Sequence, residues 1–253
     1  MRLSLSLCLA LSLAACAPSG EATTSRGPAP DYAAALADPQ RPAAERERDA
    51  ARKPAELLAF AEVEPGEKVG DYIMGGGYWT RILANVVGPQ GKVYAFQPDE
   101  FIAFRPAYGE EQAAAVEGRA NVAALRGPVA APVFTEPLDT LITVQNFHDL
   151  YIGAMPAGTG PKAIAALYGA LKPGGTLLVV DHSAAAGSGT TAADTLHRID
   201  KQAAIDALTA AGFVLEAESG LYSRPDDPRT ANVFAPEIRG KTDQFVLRFR
   251  KPG

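Results

Sequence analysis

The chain has 253 residues, 24 of them Lys or Arg and 29 Asp or Glu, for a formal net charge of −5 at pH 7. That mildly acidic balance, with no basic stripe, excludes nucleic acid as an expected partner. About 200 residues beyond the N-terminal segments are enough for one domain of ordinary size.

Residues 1–16 open with one cation, Arg2, followed by an uncharged run of Leu, Ser and Ala that ends at Cys16. The run is well short of the roughly 18 apolar residues that span a bilayer, so it reads as a secretory signal and not as a fold element. Its ending, Leu13-Ala14-Ala15-Cys16, resembles the bacterial lipobox. The resemblance implies that Cys16 carries lipid and tethers the mature chain to the periplasmic side of the cell envelope; the other reading is an ordinary cleaved signal. Ala17 stands where an Asp would suggest inner-membrane retention, which points to the outer membrane. The only other cysteine, Cys8, leaves with the signal, so no disulfide is expected. Residues 17–42 are Ala, Pro, Ser, Gly and Thr with few large apolar side chains, a composition that reads as a flexible tether. The domain is expected over 43–253.

Residues 43–61 read as one helix broken at Pro54. Short apolar runs then alternate with helical patterns, the signature of a mostly parallel sheet covered on both faces. Strands are predicted at 68–73, 91–96, 121–126, 138–144, 176–180, 213–219 and 244–249. Helices are predicted at 79–87, 101–120 with a break at Pro106, 161–171 and 201–211. The 176–180 run is the most apolar and is expected at the sheet centre.

The run Lys68-Val69-Gly70-Asp71-Tyr72-Ile73-Met74-Gly75-Gly76-Gly77-Tyr78-Trp79-Thr80 resembles the first motif of class I S-adenosylmethionine-dependent methyltransferases: a strand ending in an acid, a glycine turn, then a helix. Leu171-Lys172-Pro173-Gly174-Gly175 before an apolar strand, Ala211-Gly212-Phe213, and 245–252 at the end extend the likeness over 55–252. The resemblance implies a Rossmann-like α/β fold: a mostly parallel seven-stranded sheet, helices on both faces, and a last strand that inserts antiparallel between two others. It also implies S-adenosylmethionine as cofactor, bound through Asp71, Met74, Gly75, Gly76 and Gly77, with Gln97 toward the ribose. Glycines let backbone approach a ligand, and the following helix offers free N–H groups to a carboxylate. Two positions depart from the family pattern. Ile73 stands where a glycine is usual, and Gln97 replaces an acid that takes both ribose hydroxyls.

The three histidines each have an acid close by: His148-Asp149, Asp181-His182, and His197 with Asp200 downstream. The first two pairs follow predicted strands, where open α/β sheets bind ligands. Asn146-Phe147-His148-Asp149-Leu150 resembles the His-Asp-Trp segment of small-molecule O-methyltransferases, which implies His148 as general base with Asp149 beside it. His182 and His197 are expected to orient substrate. Three imidazoles could also hold Zn or Fe, but no tight ligand motif such as His-x-x-x-His is present, so no metal is assigned. Tyr78 and Trp79 read as packing and cofactor-wall residues, and 224–229 as a solvated loop or part of a lid. The expected activity is methyl transfer to a small molecule or envelope component, possibly at a hydroxyl. The alternative keeps the fold for binding an envelope ligand, or for metal-dependent chemistry at the histidines.

Overall fold

A computed structural model describes residues 29–253. The signal segment, Cys16 and the first part of the expected tether lie outside the described residues. From residue 32 onward the tether expectation is corrected, because the chain is packed onto the domain. Helix α1, Tyr32–Leu36, lays Ala35 into the core, and the Tyr32 hydroxyl donates to the carbonyl of Val63 at 2.9 Å. Arg41, 1% exposed, is held by both carboxylate oxygens of Asp49 at 2.8 and 2.7 Å. Polar side chains with specific partners, invisible to a composition argument, order this stretch.

Residues 43–61 form three short helices and not one broken helix: α2 (Ala43–Arg46), α3 (Asp49–Arg52) and α4 (Pro54–Phe60). Lys53, in the left-handed region at φ 40°, separates the last two, and Pro54 opens α4, where its missing N–H has no consequence.

The alternating part follows as β1 (Lys68–Tyr72), α5 (Tyr78–Val87), β2 (Lys92–Pro98), α6 (Asp99–Phe104), α7 (Ala107–Val116), β3 (Val122–Gly127) and β4 (Leu138–Val144). Then come a 3₁₀ turn at His148–Tyr151, α8 (Thr159–Ala170), β5 (Leu171–His182), α9 (Ala193–Leu196), α10 (Lys201–Ala210), β6 (Val214–Ser219) and β7 (Gln244–Arg250). The seven strands lie in the order β3-β2-β1-β4-β5-β7-β6. Strands β1 to β5 run parallel to one another, and β7 runs antiparallel between β5 and β6. β4, not β5, takes the middle place.

β5 shows why such a strand reads as an unbroken apolar run. Leu177 and Val179 pack with Ile164 and Leu167 of α8, while Leu178 and Val180 pack on the other face with Ile82 and Leu83 of α5. Side chains alternate between faces with period two, and here both faces are covered. Each fully buried aliphatic side chain contributes roughly 1.5–3 kcal/mol.

Candidate functional site

A cleft of about 750 Å³ opens at the carboxyl ends of β1, β2, β4 and β5, within the range of ~300–1,000 Å³ typical of small-molecule sites. It straddles the place where the chain reverses direction across the sheet, between β1 and β4, which is where open α/β sheets hold ligands.

One end is the turn from β1 into α5. Ile73 adopts φ 62°, a conformation that is an outlier for a β-branched residue and ordinary for glycine. The backbone therefore keeps the shape of the usual glycine turn. Strain of about 1–2 kcal/mol is offset because the side chain is 2% exposed inside the core, and Asn146 Nδ2 donates to the Ile73 carbonyl at 3.0 Å. Gly75 and Gly77 are also left-handed, at φ 56° and 85°. Met74, Gly75 and Gly76 line the cleft, but Gly77 does not: a Cβ there would sit 2.5 Å from that of Ala115, so Gly77 lets α5 start close against α7. Asp71 lines the cleft and is buried. Its carboxylate accepts from the Thr80 hydroxyl at 2.6 Å, and burial pushes its pKa up to about 6, the Thr80 hydrogen bonds opposing that rise.

The expectation for Gln97 is corrected. β2 continues through Pro98, with Gln97 registered against Arg126 of β3. Gln97 is 0% exposed, and it is not part of the cleft wall. Both of its amide atoms lack a partner. Glu100 and Phe101 of α6 form this wall instead, and Glu100 Oε2 accepts from the backbone N–H of Val129 at 2.9 Å. Arg48 and Arg52 also line the cleft, their guanidinium groups 5.2 and 4.6 Å from the Tyr78 ring centroid. Neither arginine stood out in the sequence, because short helices before the first motif bring them in.

The other end holds the histidines. His148, 3% exposed, has its Nδ1 at 2.8 and 3.0 Å from the carboxylate oxygens of Asp181. That carboxylate also accepts from the backbone N–H groups of His148 and His182. The His148 Nε2 faces His197 Nδ1 at 3.3 Å and Asp149 Oδ1 at 3.3 Å. Burial alone would lower the His148 pKa, but Asp181 and Asp149 outweigh it and push the imidazole up to about 10. Where the resemblance implies His148 as general base with Asp149 beside it, the structure holds the imidazole between two carboxylates, Asp181 at Nδ1 and Asp149 near Nε2.

His182 lines the same cleft but is committed elsewhere. Its Nδ1 lies 2.8 Å from the Thr242 hydroxyl, and burial lowers its pKa to about 4. His148, Asp149 and His197, not the three histidines, bring ligand atoms together among the described residues.

His197 owes its place to a clamp. It sits at φ 52° after α9, and the next residue, Arg198, is fully buried and bonded to Asp227 at 2.7 and 3.2 Å. Arg198 also donates to the carbonyls of Ser183 and Ala231. The 224–229 segment is therefore not simply a solvated loop, since the Asp227 side chain is fully buried. No helix of the described residues is long and apolar enough to cross a membrane.

The sequence matches no protein-family model and no curated protein. Solved structures do share the fold. A SAM-dependent methyltransferase from Aquifex aeolicus superposes with a TM-score of 0.57 at 20% identity, covering 87% of this chain and 98% of that one. The N-methyltransferase NodS from Bradyrhizobium japonicum gives 0.53 at 15% identity, covering 82% and 97%. The [4+2]-cyclase SpnF gives 0.55 at 16%, covering 80% and 81%. With its antiparallel β7 between β5 and β6, the chain has the fold of the class I SAM-dependent methyltransferases.

Proposed function

We propose that the protein is an S-adenosylmethionine-dependent methyltransferase acting on a small molecule or a cell-envelope component. The observation that carries this reading is the β1–α5 turn: Met74, Gly75 and Gly76 bring backbone to the cleft, and Ile73 keeps the left-handed shape of the missing glycine. Fold alone does not assign an activity, as the cyclase among the neighbours illustrates.

The residues present suit the cofactor. A Cβ on Gly75 would meet nothing within 4 Å, so that side of the turn is open. Trp79, in the cleft wall, keeps its indole N–H buried without a partner. Arg52 offers positive charge to a carboxylate. Glu100, with one carboxylate oxygen already engaged, replaces Gln97 as the acceptor for ribose hydroxyls. The cofactor would supply an electrophilic methyl group on sulfur. The protein's task is then alignment, holding the acceptor atom in line with that methyl, with His148, Asp149 and His197 at the acceptor end. A lipid-bearing Cys16 would place the activity at the periplasmic face of the envelope.

The test is calorimetric titration of the full chain with S-adenosylmethionine and with S-adenosylhomocysteine. Binding near ~1–100 µM, abolished by Gly75→Val, is the expected result. No heat from either ligand at millimolar concentration would overturn the reading.

A further inference from the structure

We propose that His148, Asp149 and His197 bind a divalent transition-metal ion, of the zinc, iron(II), cobalt(II) or manganese(II) class, at the acceptor end of the cleft. Three potential ligand atoms stand close together there. His148 Nε2 lies 3.3 Å from His197 Nδ1 and 3.3 Å from Asp149 Oδ1, and the latter two are 3.8 Å apart.

These separations are poor for hydrogen bonding. An N–H has one proton, yet Nε2 faces two acceptors, both beyond the ~2.7–3.2 Å of a good N–H···O bond. Two of the three separations suit an ion much better: with metal–nitrogen bonds of about 2.0–2.1 Å, ligands on a tetrahedron stand about 3.3–3.4 Å apart, and the third pair, 3.8 Å apart, would close by roughly 0.4 Å on binding. Two imidazoles and one carboxylate form a donor set that favours borderline transition ions over magnesium or calcium.

The surroundings are those of a metal ligand. Asp181 takes the Nδ1–H of His148 at 2.8 Å, which leaves the Nε2 lone pair directed at the site. A carboxylate behind a metal-bound histidine fixes tautomer and ring orientation in this way. Asp181 is itself fully buried and held by two backbone N–H groups. His197 stays in a left-handed conformation, φ 52°, which a non-glycine residue keeps only where its surroundings over-determine it. Here the buried Arg198–Asp227 pair does so.

All three ligands line the cleft, and the side chains of Asp149 and His197 are 14% and 28% exposed, so an ion has a way in. Three protein ligands leave coordination positions open toward the cleft. An acceptor with an oxygen, nitrogen or sulfur donor would fill one and be oriented by it. That extension rests on the methyl-transfer reading; the ion site itself does not.

The experiment uses the chelator-treated full chain, titrated by calorimetry with Zn²⁺ and with Mn²⁺, and with Co²⁺ followed by visible absorption. One ion per chain is expected, with Kd near or below ~10 µM for at least one metal. His197→Gln and Asp149→Asn should each weaken binding tenfold or more. Asp181→Asn should weaken it about 10–100-fold through the lost orienting bond. His182→Gln should change the affinity less than twofold. Unfolding midpoints of the variants, measured without metal, separate lost ligands from lost folding. Absence of binding tighter than ~100 µM, or tight binding that survives both His197→Gln and Asp149→Asn, would overturn the proposal. Cofactor titration of the metal-free protein keeps the two readings apart: cofactor binding without ion binding removes only the ion site, and the reverse removes only methyl transfer.

Discussion

At one end of the cleft Gly75 and Gly76 offer backbone, whereas at the other His148, Asp149 and His197 offer polar side chains from loops 49 residues apart in the chain. The first end needs only local chemistry: a strand, residues that tolerate positive φ, and a helix start. The second needs the whole right half of the sheet, because His148 follows β4, Asp181 ends β5, and His197 is held by a segment just before β7. A backbone-built site tolerates drift in side chains, as Ile73 shows. A side-chain-built site depends on every element that aims its members.

The comparison can be broken most forcefully at the clamp. Arg198→Met leaves Asp227 buried without its charge partner and should destabilise the protein by roughly 3–5 kcal/mol in urea denaturation. A change under ~1 kcal/mol would mean that the histidine end does not depend on this pair.

The glycine-turn end should reveal itself through pH. Asp71 titrates at 3.8 in the unfolded chain and at about 6 when folded. Between these values the folded protein holds more protons. Stability contributed by this group is full below pH 4, falls as pH rises toward 6, and is flat above, with a total change of up to about 3 kcal/mol. Asp71→Asn should erase that step, and identical pH profiles for the two proteins would remove Asp71 as its source.

Gln97→Met replaces two unpartnered buried amide atoms with an apolar chain of similar length. It should be neutral or raise stability by about 1–2 kcal/mol while leaving cofactor affinity unchanged. A loss of cofactor affinity would restore Gln97 to the ribose site.

The smallest effect is expected at Gly75→Ala. Space is open around an added Cβ, so only the φ of 56° opposes it, at about 1 kcal/mol by thermal denaturation. A much larger loss would show that the turn is packed and not presented to the cleft.

The strands were legible in the sequence because a doubly covered sheet needs apolar residues on both faces and turns between them. Leu138–Val144 coincides with its prediction, and the others differ by a few residues at their ends. The glycine turn was legible because its requirement is local. Three things were not. Residues 32–42 are ordered by Tyr32, Asn85 and the Arg41–Asp49 pair, contacts that composition does not encode. Gln97 follows the motif spacing, yet β2 runs two residues further than expected and keeps it in the sheet. His182 and His197 looked equivalent on the page, and only Thr242 and Arg198, which come from other segments, separate them.

The position of β7 also sets an order of assembly. Among the described residues β6 has no sheet neighbour except β7, although it lies earlier in the chain. A folding polypeptide therefore carries β5 with an open apolar edge and β6 with no strand partner until residues 244–250 pair with both. Long-range strand pairing of this kind is slow and exposes sticky edges while it waits. The pairing that covers both edges also registers Gln244 against His182, so it fixes the strand end that carries this histidine.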